Sequence, residues 1–188
     1  MGNRGERFFI VTGGPGSGKT SLISEIEKRG YGRSIEAGRA VIQDQVAIGG
    51  RALPWDDRLL FAELMLSWEM RSYRAAERDD GPIFFDRGVP DVMGYLRLSQ
   101  LPIPEHMKIA AKLFRYNPTV FIAPPWQEIF HQDHERKQDF EEAIRTYQAM
   151  VETYQEQKYS LVELPRVPLN QRVEFVLSRV EEFSGGRG

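Results

Sequence analysis

The sequence predicts an α/β protein, a parallel sheet with helices on both faces, and three observations carry that prediction. Short, fully apolar runs recur along the chain, as expected for strands buried on two sides rather than one. Segments with apolar residues at helical spacing separate them. The third is size: 188 residues, 41% hydrophobic and 28% charged, can bury on the order of 70% of their open-chain surface in one core. One domain over residues 1–188 is therefore expected.

Residues 7–12 (RFFIVT) are the first strand, which stops at Gly13-Gly14-Pro15-Gly16, a run that suits neither helix nor strand. Residues 20–28 carry Leu22, Ile23 and Ile26 at helical spacing, ended by Gly30 and Gly32. Residues 31–37 form a weaker second strand, followed by a helix over 39–48 that closes at Gly49-Gly50. Asp56 or Asp57 caps a long helix through residue 78, whose Leu60, Leu64, Trp68 row and Phe61, Met65 row make a broad apolar face. Asp79-Asp80-Gly81-Pro82 breaks it before a third strand at 83–85, which ends at Asp86-Arg87-Gly88. A helix over 105–116 precedes the fourth strand, 119–123 (TVFIA), which stops at Pro124-Pro125. Residues 139–159 are helical, 160–164 (SLVEL) are the fifth strand, and 170–183 are a closing helix before a frayed end. The polar connection 126–138 is the candidate lid.

Charge and composition narrow the function. Lys and Arg number 25 against 27 Asp and Glu, a formal charge of −2, which disfavours a nucleic-acid surface. The absence of cysteine excludes a disulfide framework, a thiolate zinc site and a cysteine nucleophile, and is compatible with a reducing compartment. No apolar stretch reaches bilayer-crossing length, and Gly2 lacks the Ser or Thr at position six of a myristoylation start, where Glu6 stands. A cytoplasmic protein without a membrane span is expected.

Gly13-Gly14-Pro15-Gly16-Ser17-Gly18-Lys19-Thr20 fulfils G-x-x-x-x-G-K-[ST] between a strand and a helix, where the mechanism requires it. Glycines let successive backbone N–H groups turn onto phosphate oxygens, and the helix N-terminus adds a positive dipole end. Together with Ser21 these residues are the predicted nucleotide cradle, Lys19 reaching the β- and γ-phosphates and Thr20 ligating Mg²⁺. ATP is the expected nucleotide. No Asn-Lys-x-Asp guanine reader is present, which leaves GTP open, and Asp91-Val92-Met93-Gly94 spells D-x-x-G but follows no apolar strand and is read as incidental.

This motif, the strand and helix alternation and the size resemble P-loop NTPases of the nucleoside and nucleotide kinase type. In detail the chain is similar to small bacterial predicted ATPases of the AAA-domain group related to the NadR-type kinase domain. The resemblance implies a three-layer fold with a five-stranded parallel sheet in the order 2-3-1-4-5. It also directs attention to Asp86, delivered at the carboxyl end of the third strand, where open α/β sheets bind ligands. Asp86 is a candidate for the Mg²⁺ shell or for accepting the proton of an attacking hydroxyl. AAA-type motors usually have Glu after that Asp; here Arg87 follows. Asp-Arg resembles instead the Asp/Glu-Arg pair of nucleoside and thymidylate kinases, which implies a clamp on the acceptor or transferred phosphate.

The resemblance places Ile35-Glu36-Ala37-Gly38-Arg39 opposite the phosphate loop. There Glu36 is a second candidate base and Arg39 a bidentate partner for an acceptor phosphate. Arg136 of the lid, with Lys137 behind it, is a candidate arginine finger. His131, Asp133 and His134 have spacing a metal could use, but no further His or Cys stands nearby, which disfavours zinc. Trp55 is a candidate pocket wall, Trp68 a core residue, and Pro165-Arg166-Val167-Pro168 lies where related folds surround the base. The expected function is phosphoryl transfer from ATP to a small acceptor, nucleoside-, nucleotide- or vitamin-like. The alternative is a regulatory ATPase or GTPase switch acting on a protein or membrane partner.

Overall fold

The computed structural model describes residues 4–130 and 139–185. A short 3-10 turn, Arg4–Arg7, leads into β1 (Phe8–Gly13), and α1 (Lys19–Lys28) follows the glycine-rich loop. The chain continues through β2 (Gly32–Arg33), α2 (Ala37–Ile48), α3 (Arg58–Ala76), β3 (Ile83–Asp86), α4 (Val89–Leu98), α5 (Glu105–Leu113), β4 (Thr119–Ala123), α6 (Phe140–Glu156), β5 (Ser160–Glu163) and α7 (Leu169–Gly185). The sheet runs β2-β3-β1-β4-β5 with every neighbouring pair parallel. That is the order expected.

Alternation along the strands builds two cores. Phe8, Ile10, Ile83, Phe85, Val120 and Ile122 point to a face covered by α2 to α6, whereas Phe9, Val11, Phe84 and Phe121 point to one covered by α1 and α7. On the first face the Phe8 ring meets Tyr73 edge-on at 4.9 Å, and Phe85 meets Tyr116 edge-on at 5.2 Å. These contacts pin the two strands that carry the site beneath α3. Trp68 packs against the same core, half-buried.

Local caps fix the long helices. The Asp57 side chain accepts from the Leu60 amide at 2.9 Å to start α3, while Asp56 pairs with Arg51. Asp139 accepts from the Glu142 amide at 2.7 Å to start α6. Along α6 one face then touches three parts of the molecule in turn. The Ala143 carbonyl abuts Gly14, Met150 packs against Gly94 of α4, and the Tyr154 hydroxyl bonds Asp91.

Three elements differ from the sequence expectation. The second strand spans two exposed edge residues, and the following residues curve away so that Glu36 caps α2. The helix from Glu105 ends at Leu113, where Phe114 leaves helical dihedrals and Asn117 secures the turn into β4 by donating to the Glu6 carbonyl at 2.5 Å and accepting from the Thr119 amide. Helix α4 has no counterpart in the sequence expectation. Gly88, Pro90 and Gly94 make its sequence look like a loop, yet Pro90 lies in the first turn, where no intrahelical amide is needed.

Candidate active site

The phosphate loop wraps over the carboxyl end of β1. Gly18, with φ 80°, sits in the left-handed region that lets the chain swing into α1. Gly14 is required for another reason: a Cβ there would stand 2.4 Å from the Ala143 carbonyl oxygen of α6. Lys19 is buried, and its Nζ donates to the Gly14 carbonyl at 2.6 Å and the Ser17 hydroxyl at 3.3 Å. Ser17 Oγ in turn donates to the Gly14 carbonyl at 2.8 Å, so the loop is held closed by its own side chains. Thr20 and Ser21 are exposed on the first turn of α1, whose leading amides have no intrahelical acceptors.

Asp86 ends β3 directly across from Thr20. Its Oδ2 accepts from Thr20 Oγ1 at 2.9 Å, and its Oδ1 is buried with no hydrogen-bond partner among the described residues. Burial, then the negative charge of Glu36, raises the Asp86 carboxyl above its ordinary range, against Lys19, Arg87 and Thr20. An orphaned carboxylate oxygen beside a threonine hydroxyl and a phosphate loop is the donor set Mg²⁺ uses when phosphates and waters complete its shell. Thr20 and Asp86 therefore fit that ion. Among the described residues no group of three or more His, Asp or Glu side chains could hold a metal.

Arg87 is the pivot between the two halves of the site. It adopts φ 73°, unusual for a side-chain-bearing residue. Its amide donates to the Val11 carbonyl at 3.1 Å, its Nη1 to the Gly13 carbonyl at 2.9 Å, and its Nε to Glu36 Oε1 at 3.3 Å. Asp91 Oδ1 lies 3.5 Å from Nη1. Burial acts against the guanidinium charge, but Glu36, Asp91 and Asp86 outweigh it and raise its pKa. Asp91 in turn accepts from Thr12 Oγ1, from the Tyr154 hydroxyl and, at 2.9 Å, from the Gly88 amide. One buried carboxylate thus ties β1, the β3–α4 turn and α6 to Arg87.

A cavity of about 430 Å³ opens beside this cluster, between α2, α3, α4 and α6. Pro15, Glu36 and Arg87 form its phosphate-loop end; Trp55 and Arg58 stand at its wall. Its interior is apolar, with Ile42, Phe61, Met65, Val92 and Met150, and reaches Glu69 of α3. Glu69 is 2% exposed and its Oε2 has no hydrogen-bond partner among the described residues.

The structure thus brings together Lys19, Thr20, Asp86, Arg87 and Glu36, as the sequence suggested. Arg39 is different: it points outward from α2, and Gly38 rather than Arg39 lines the cavity, because a helix turns about 100° per residue. Arg136, Lys137, His131, Asp133 and His134 lie outside the described residues. Arg166 of the loop before α7 donates to the Pro125 carbonyl at 3.2 Å.

Three residues of the site are not singled out by the sequence. Asp91 belongs to a D-x-x-G that looks incidental in the sequence; the structure puts that tetrapeptide on α4, just beyond β3. Glu69 is one acid in a helix rich in charge, with nothing in its spacing to mark it as buried. Arg172 of α7 is 3% exposed and donates from Nη2 to the Ser17 carbonyl at 3.1 Å, supporting the phosphate loop from below. No sequence signal links residues 155 positions apart.

The NadR protein solved in complex with NR shares 18% identity and superposes with a TM-score of 0.72 over 96% of this chain and 52% of its own. The chain therefore spans about half the length of that protein. Deoxyadenosine kinase from M. mycoides with bound dATP is 12% identical, with a TM-score of 0.63 over 93% of this chain and 98% of its own. Thymidylate kinase from Ehrlichia chaffeensis is 15% identical, with a TM-score of 0.62 over 94% and 99% respectively. The fold is that of the P-loop nucleoside and nucleotide kinases. No curated protein matches the sequence significantly. The AAA domain family model matches residues 8–172, every element from β1 to the first turn of α7, and on that match the chain belongs to the AAA domain family.

Proposed function

We propose that the protein is a Mg²⁺-dependent kinase that moves the γ-phosphoryl group of ATP to a hydroxyl or phosphate of a small acceptor. The observation that carries this reading is the position of Glu36. It lines the cavity next to the phosphate loop, while Asp86 does not line it and pairs instead with Thr20. That division supports Glu36 as the base toward the acceptor and Asp86 as a ligand of the metal. Lys19 and the loop amides bind and orient the phosphates. Mg²⁺, when bound, neutralises charge on the β- and γ-phosphates.

A switch or motor that hydrolyses ATP needs a group to polarise water beside the metal acid, and Arg87 stands there with its guanidinium on Glu36 and Gly13. The cavity also offers an acceptor a place beside the phosphate loop. Two structural neighbours are a deoxyadenosine kinase and a thymidylate kinase by name, which supports an acceptor of nucleoside, nucleotide or vitamin-like size, with ATP preferred and GTP as the alternative donor.

The test is calorimetric titration with non-hydrolysable ATP and GTP analogues plus Mg²⁺, followed by an acceptor panel with ATP. Glu36→Gln should lower transfer by about 10²–10⁴-fold while leaving nucleotide affinity intact. Asp86→Asn should abolish transfer and the Mg²⁺ dependence of nucleotide binding. Slow hydrolysis with no acceptor, unchanged by Glu36→Gln, would mark a regulatory NTPase instead.

A further inference from the structure

A buried cation stands behind the phosphate loop with no anion to answer it. Arg172, in the first turn of α7, is 3% exposed and forms no ion pair with a carboxylate among the described residues; burial lowers its pKa and no neighbouring acid raises it. Its Nη2 donates to the Ser17 carbonyl at 3.1 Å, and its Nε is buried without a hydrogen-bond partner among the described residues. Its Nη1 lies 2.7 Å from where a Cβ on Gly18 would stand. The other charges at hand are positive as well. Lys19 is buried next in sequence to Gly18, and α1 and α7, which pack together through a core that includes Leu22, Val173 and Val176, both bring the positive ends of their helix dipoles to this region. A desolvated cation in such company is unfavourable until an anion joins it.

The bond to Ser17 also has a direction. In a trans peptide the carbonyl and the following N–H point opposite ways, so a Ser17 carbonyl held toward α7 turns the Gly18 N–H away from α7. Gly18, with φ 80°, belongs to the residue type that accepts either hand. Without the arginine this peptide would be free to flip and present a carbonyl oxygen where the loop needs an amide.

We infer that Arg172 is a positioning residue for the donor's phosphates. It fixes the Ser17–Gly18 peptide with its amide available to them, and its own charge is neutralised only when they bind. The inference rests on the nucleotide-binding half of the proposed function and on nothing about the acceptor. A residue that merely braced the loop would stabilise the empty protein. One whose charge awaits an anion instead favours the loaded protein over the empty one.

The test compares wild type with Arg172→Met, which removes both charge and donor, and Arg172→Lys, which keeps both. Affinities for ADP with Mg²⁺ and for inorganic tripolyphosphate are measured by calorimetry, and unfolding midpoints without ligand by circular dichroism. Arg172→Met should bind each probe about tenfold more weakly, the scale of one lost interaction with a charged group. Its midpoint without ligand should stay within about 2 °C of wild type or rise. Arg172→Lys should recover both affinities to within about threefold of wild type. Unchanged affinity in Arg172→Met, a midpoint lowered further than that, or a lysine variant that recovers no binding would each overturn the inference. So would a loss for ADP without one for tripolyphosphate, which would assign the residue to the base or ribose. Neither probe involves an acceptor. The expected variant pattern in a chain that transfers no phosphate would therefore sink the kinase reading alone, whereas wild type that binds neither probe would refute both.

Discussion

Replacing Arg87 with methionine tests the buried charge cluster at its centre. The guanidinium is the counter-charge of Glu36 and Asp91, whose side chains are 11% and 6% exposed. Methionine keeps a similar volume and the same backbone penalty at φ 73°, so the comparison isolates the charge. Removing one partner of a buried ionic cluster costs about 3–5 kcal/mol, because the remaining carboxylates cannot be rehydrated. In a chain of this size each kcal/mol moves the unfolding midpoint by about 2–4 °C. Arg87→Met should therefore unfold about 6–20 °C lower at neutral pH, followed by circular dichroism. Adding Glu36→Gln removes one stranded charge and should return about 1–2 kcal/mol of the loss. A drop below about 2 °C, or a double variant no more stable than the single one, would show that the carboxylates are not held by this guanidinium.

Two further outcomes follow from the same geometry. Gly14→Ala places a methyl group against the Ala143 carbonyl, which is backbone and cannot yield cheaply; the variant should lose about 1–3 kcal/mol of stability and at least tenfold in ATP affinity by calorimetry. Glu69 titrates well above its ordinary value of 4.5, through burial first and then Asp91, Asp86 and Glu36. Its folded pKa exceeds its unfolded one, so its contribution is full below the unfolded value and is lost as pH rises toward the folded one, at up to about 1.4 kcal/mol per pH unit. Denaturant midpoints measured from about pH 5 to about pH 8 should then shift in favour of Glu69→Gln over wild type as pH rises, and a pH-independent difference would count against a buried acid.

What could be read from the sequence depended on how local the cause was. The phosphate loop announces itself, because its backbone geometry needs glycines at fixed spacing, and the central strands do too, because burial on both faces removes polar residues from Ile83-Phe84-Phe85 and Thr119-Val120-Phe121. The edge strand is shorter than its sequence suggests: Tyr31 and Ile35 look strand-like, but only Gly32 and Arg33 pair in register with β3, and Ser34 adds one amide bond to the Phe84 carbonyl at 2.9 Å. Helix α4 and its Asp91 stayed hidden for a different reason. Proline and glycine mark turns on average, and only the tertiary setting shows that here they open and pack a helix. Glu69 and Arg172 are positioned by contacts across the fold, which leave no trace in spacing.

Helix α6 behaves as a beam with its load spread along one side. At one end the Ala143 carbonyl rests on Gly14 of the phosphate loop, midway Thr146 and Met150 form the cavity wall, and further on Tyr154 grips the carboxylate that steadies Arg87. The phosphate loop and the cavity are thus two chambers that share a single partition. A molecule seated in one chamber that displaces the partition alters the other, and thermodynamic reciprocity makes the influence equal in both directions. On the kinase function proposed above, nucleotide and acceptor have a mechanical route by which each senses the other without touching it.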